Sequence, residues 1–172
     1  MATSDLNTPP EKPSPSGRPE RPASVLCVIE AASEASLSAL TFAASLACRR
    51  RGQGGADLAV ILVCHYPFFT MSDPAPEPQW LGTGADVQST LEEISARFGI
   101  VPRVEEIVGW SQEDIVRIAV QRRSDVVILP MLGGGAGPLA RWRQRDLVST
   151  LIGRTRAVVM DEYDRPFAGL QQ

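Results

Sequence analysis

Residues 125–161 read DVVILPMLGGGAGPLARWRQRDLVSTLIGRTRAVVMD, from Asp125 to Asp161. An apolar run, Val126 to Pro130, breaks into the glycine loop Met131-Leu132-Gly133-Gly134-Gly135-Ala136-Gly137. An Arg-rich amphipathic segment follows from Leu139 to Ile152, and a second apolar run, Ala157 to Met160, closes the stretch. Strand, glycine turn, helix and strand in this order predict a βαβ unit of a parallel sheet. The loop falls where such folds bind phosphates, because backbone N–H groups converge at a helix N-terminus.

The same alternation extends upstream. Ser24 to Ile29 is a near-continuous apolar run, the pattern of a strand buried on both faces. Ser33 or Ser36 caps the helix that follows, in which Leu37, Leu40, Ala44 and Ala47 recur at helical spacing. Arg49, Arg50 and Arg51 then complement the negative end of that helix. Leu58 to Cys64 is a second buried strand, and Val87, Leu91, Ile94 and Phe98 mark an amphipathic helix. Between them, Tyr66 to Gly84 carries four prolines and no period; connections of that length are usually functional or mobile. Val101 to Val108 is a more polar third strand, expected nearer a sheet edge. Gly109-Trp110-Ser111 turns into the next helix, where Ser111 and Asp114 fit a capping box and Ile115, Ile118 and Ala119 face inward.

This reading gives a Pro-rich disordered tail over residues 1–23, an α/β domain over 24–163 and a C-terminal tail over 164–172. The hydrophobic content of 44% is enough for a full-sized core in one domain. A net charge of -3 argues against a general nucleic-acid binder. No apolar run reaches the roughly 18 residues of a membrane span, and the polar start lacks a signal-peptide core, so the expectation is a cytoplasmic protein without a membrane partner.

The scarce residue types narrow the chemistry. Lys12 is the only lysine and lies in the tail, so the domain has no P-loop or Schiff-base lysine. His65 is the only histidine, which excludes two-histidine zinc motifs. Cys27, Cys48 and Cys64 lie in apolar elements without C-x-x-C spacing and read as buried reduced thiols. Glu92-Glu93 and Glu105-Glu106 are neighbours that point to different faces and read as solvated charge. Trp80, Trp110 and Trp142 read as anchors of loops to the core. No catalytic constellation stands out, and the expectation is not an enzyme.

Three stretches resemble the universal stress proteins over about residues 24–161: Glu34 to Leu40 after the first strand, Val108 to Ile115 at the third-strand turn, and Ser124 to Leu129 in the fourth strand. The resemblance implies a doubly wound five-stranded parallel sheet of order 3-2-1-4-5 with helices on both faces, of the adenine-nucleotide alpha-hydrolase-like kind. It also implies a homodimer paired through the last strand, Ala157 to Met160, and a regulatory or stress-response role in binding a small ligand or a protein partner. ATP-binding members carry an acidic residue after strand one, then a glycine loop G-x-x-G, nine residues, and G-[S/T].

Here Glu30 or Ala31 takes the acidic position, and the base would lie between the ends of strands one and two, near Cys64. Pro130 replaces the usual strand-end glycine. Gly133, Gly134, Gly135 and Gly137 supply the loop, but nine residues on the chain reads Leu147-Val148. Aligned backwards from strand five, the last pair is Arg145-Asp146, a carboxylate where a small hydroxyl would have bonded phosphate. Arg141, Arg143 and Arg145 offer compensating charge, spread around the helix. The resemblance therefore implies no cofactor or weakly bound ATP. A competent adenine-nucleotide binder and an enzyme of a related α/β nucleotide-binding class are the alternatives.

Overall fold

The computed structural model of the chain describes residues 23–30, 33–51, 56–64, 84–109, 111–132 and 136–167. Strand β1 (Ala23–Ile29) is buried from Ser24 onward, so both its faces need cover and both its edges need partners. It lies at the centre of the sheet. β2 (Ala56–Cys64) pairs with it in parallel on one side and β4 (Val126–Ile128) on the other, with Val25 opposite both Leu58 and Val126. β3 (Arg103–Val108) lies outside β2 and β5 (Val158–Met160) outside β4, so the five parallel strands run β3-β2-β1-β4-β5, the order that the resemblance to the universal stress proteins implies. The polar β3 is at an edge, as its composition predicts.

Among the described residues, four helices cover the sheet. Because successive side chains of a strand point to opposite faces, Val25, Cys27 and Ile29 pack with α1 (Glu34–Arg51) and α2 (Gly84–Phe98). Leu26 and Val28 pack on the other face with α3 (Gln112–Arg122) and α4 (Pro138–Arg154). The caps follow the local sequence. Of the two serines at the start of α1, Ser33 does the capping, its Oγ accepting from the Ser36 N–H at 3.2 Å. Ser111 caps α3, its Oγ accepting from the Asp114 N–H at 3.2 Å. Arg123 ends α3 in the left-handed region, at φ 49°, with its own N–H and that of Ser124 returned to Val120 and Ala119.

Two features differ from the sequence reading. Trp142 was expected to anchor a loop to the core, yet it is 62% exposed. It lies nine residues before the buried Leu151 on the same helix, and at about 100° per residue that puts the two on opposite faces. The second is at the C-terminal end. Residues 164–172 read as a tail, but the chain turns at Asp161 and Met160 bridges Pro166 in an antiparallel pair, with Phe167 packed against the α3/α4 core. The Pro-rich segment 1–22, the long connection 65–83 with His65 and Trp80, and Trp110 lie outside the described residues.

Candidate functional site

β1 and β4 are hydrogen-bonded neighbours, but the chain leaves β1 for α1 on one face and β4 for α4 on the other. That divergence opens a crevice beyond the C-terminal strand ends, the general ligand position of doubly wound sheets. A cavity of about 60 Å³ lies there, lined by Val28 and Glu30 of the β1 end, by Leu129, Pro130 and Leu132 after β4, and by Ala140, Arg143 and Gln144 of α4.

The peptide between Pro130 and Met131, where the glycine loop begins, lies past the last rung of β4 and is held by side chains on both sides. The Pro130 carbonyl accepts from Gln144 Nε2 at 2.8 Å, and the Met131 N–H donates to Glu162 Oε2 at 2.7 Å. Glu162 is buried and its carboxylate stands one rung beyond the Leu129 N–H to Met160 carbonyl bond, continuing the β4–β5 ladder with a side chain. On the far side of the loop, Gly137 caps α4 in an extended conformation with no side-chain capping bond, and Pro138 opens the helix with no acidic residue in its first turn. That leaves the positive end of the helix uncompensated by a nearby carboxylate of its own first turn.

Of the residues proposed from the sequence, the structure brings Glu30 and Pro130 together at the cavity. Gly137 begins α4 but does not line it. Arg145 is exposed and Asp146 half-buried, about two turns into α4, and neither is among the lining residues; Arg143 and Gln144 reach the cavity instead. Cys64 ends β2 and lines a separate cavity of about 360 Å³ with Val87, Leu91 and Glu106. Burial, and then the charge of Glu106, raise its thiol pKa above the ordinary value, while burial alone does the same to Cys27. Ala31, Gly133, Gly134 and Gly135 lie outside the described residues.

Neither Gln144 nor Glu162 reads as a site residue in the sequence. Their partners are 14 and 31 positions away, so no local spacing announces them. Among the described residues no group of three or more His, Cys, Asp or Glu is placed to hold a metal, and no helix is long and apolar enough to cross a membrane.

No protein-family model matches the chain, and no curated protein matches it by sequence. Solved structures do match. A universal stress protein in complex with cAMP superposes with a TM-score of 0.52 at 15% identity, covering 80% of this chain and 94% of its own. A protein of the same family from Burkholderia pseudomallei gives 0.50 at 14%, covering 81% and 96%. The fold is that of the universal stress proteins. At this identity the likeness to the universal stress proteins is one of architecture, and it extends over nearly the whole length of each neighbour.

Proposed function

We propose that the chain is a universal-stress-like regulatory module, non-catalytic, in which ATP binding is weakened or lost. The lining of the cavity between the β1 and β4 ends carries this reading. Its eight described residues include no hydroxyl and no ammonium group; the charged ones are Glu30 and Arg143, of opposite sign. Arg143 can meet one phosphate through its guanidinium, and Glu30 stands where ATP-binding universal stress proteins keep their acidic residue, but the described lining offers no hydroxyl or second cation for the remaining charge of a triphosphate. The volume of about 60 Å³ is small against the ~300–1,000 Å³ of ordinary ligand pockets. A protein of the same fold is known in complex with cAMP, which carries a single phosphate charge, so mono- and triphosphates belong in the same test.

Isothermal titration with ATP, AMP and cAMP measures this directly. One missing charge-assisted hydrogen bond costs about 1.5–3 kcal/mol, roughly ten- to a hundredfold in affinity. ATP is therefore expected to bind in the high micromolar range or not at all, with no nucleotide copurifying by mass spectrometry and no ATP turnover. Arg143→Glu should weaken any residual nucleotide binding by a similar factor. Submicromolar ATP affinity in the natural chain refutes the reading and favours a competent nucleotide binder.

A further inference from the structure

We propose that residues 161–167 form a strap that closes the outer edge of β5 against strand pairing with a second copy of the chain. An edge strand presents alternate backbone groups outward, and an open one is a template for another strand. In β5 the inward groups are used by β4: the Val158 N–H donates to the Asp125 carbonyl, and the Met160 carbonyl accepts from the Leu129 N–H. Two outward groups are used by the strap. The Val159 carbonyl accepts from the Phe167 N–H at 2.9 Å, and the Asp161 N–H donates to the Arg165 carbonyl at 3.0 Å. These two bonds flank the antiparallel Met160–Pro166 pair, a pattern in which Pro166 turns its own backbone nitrogen away from β5. Proline has no N–H to offer there, so the new edge is one donor short.

The strap is anchored along its length. The carboxylate of the buried Asp161 accepts from the Tyr163 N–H at 2.9 Å, the Arg165 N–H at 3.0 Å and Arg165 Nε at 2.8 Å, which fixes the turn. Asp164 takes the left-handed conformation, φ 62°, that the turn needs, a region Asp tolerates better than most residues. The Arg165 guanidinium lies 4.8 Å from the centre of the Tyr163 ring. Phe167 holds the far end by packing on the α3/α4 core. The homodimer expected through the last strand uses this same edge, so a second copy has to displace these bonds before it can pair along β5.

Light scattering over a range of micromolar concentrations tests the strap on the full chain and on three variants. Truncation after Asp164 removes the covering residues but keeps Asp161 and the Glu162 contact; Phe167→Asp releases the docked end without shortening the chain. A paired Met160→Cys, Pro166→Cys variant locks the strap, since facing residues of such a pair lie within disulfide reach. The natural chain is expected to stay monomeric. The truncated chain and Phe167→Asp should associate at least about tenfold more tightly, and oxidation of the locked variant should keep it monomeric even where Phe167→Asp is added. Release variants that fold, by near-ultraviolet circular dichroism, and keep monomer mass overturn the proposal. A natural dimer whose mass is unchanged by the oxidised lock overturns it as well, and that comparison needs no weakened variant to fold.

Discussion

Glu162 and Gln144 hold the two polar groups of one peptide, and Ser111 and Asp114 show the same economy at a helix start. Ser111 accepts from the Asp114 N–H. The Ser111 hydroxyl first, and then the Arg117 guanidinium, hold the Asp114 carboxyl below the usual aspartate range. A depressed carboxylate pKa adds stability that is present above the unfolded value and is lost as pH falls through the folded one. Ser111→Ala should therefore move the Asp114 titration, followed by NMR, back up toward the ordinary aspartate value. It should also destabilise the protein by about 0.5–2 kcal/mol, the usual cost of a lost cap. This residue pair was legible in the sequence because a cap is a contact over three positions. The Glu162–Met131 contact was not, because only the parallel alignment of β4 and β5 brings them together.

At the scale of an element, α4 is two helices in one. Its second half buries Leu147, Val148 and Leu151, whereas from Pro138 to Asp146 no residue is buried, and Leu139 and Trp142 are largely exposed. Leu151→Ala should cost about 2–5 kcal/mol by opening a cavity in the α3/α4 core. Trp142→Ala, although it removes a far larger side chain, should change stability by less than about 0.5 kcal/mol. Urea midpoints of the two variants decide the matter, and a large loss in Trp142→Ala means that the half-helix is packed. The apolar repeat revealed the helix, but not how far along its length it meets the core. That depends on where the sheet ends, and β4 is only three residues long. The strand read as Val126 to Pro130 stops at Ile128, with Leu129 adding one last bond to Met160.

For the whole molecule, two cores on opposite faces share one sheet, and among the described residues their buried members run from Val25 to Val159. Residues 1–22 contain six prolines and few apolar side chains. Deleting them should change stability by less than about 1 kcal/mol, a shift of no more than roughly 2–4 °C in Tm for a chain of this size. Scanning calorimetry on the natural and shortened chains measures it; a larger loss means that this segment packs on the domain. The sheet also manages its two edges differently. β3 carries Arg103, Glu105 and Glu106 on a strand where charge discourages pairing, with Glu105 tied to the half-buried Arg122 of α3. β5 is short and apolar, and is covered by the strap.

The alternation of strands and helices was determined by the sequence alone, and the strand order followed from the resemblance its short motifs carry to the universal stress proteins. Continuous apolar runs such as Ser24 to Ile29 have to be buried on both faces, and a parallel sheet with short right-handed crossovers leaves little freedom beyond that. Only the tertiary structure decided which polar groups meet at the cavity and at the sheet edge. It placed Arg143 and Gln144, rather than Arg145 and Asp146, at the cavity, because a shift of one or two positions along a helix rotates a side chain by about 100–200°. It set Glu162 against Met131 and folded Arg165 to Phe167 back on β5, contacts between segments that no local period connects. Burial patterns are written in composition and spacing, whereas the pairing of individual polar groups depends on angles and distances that exist only once the chain has closed on itself.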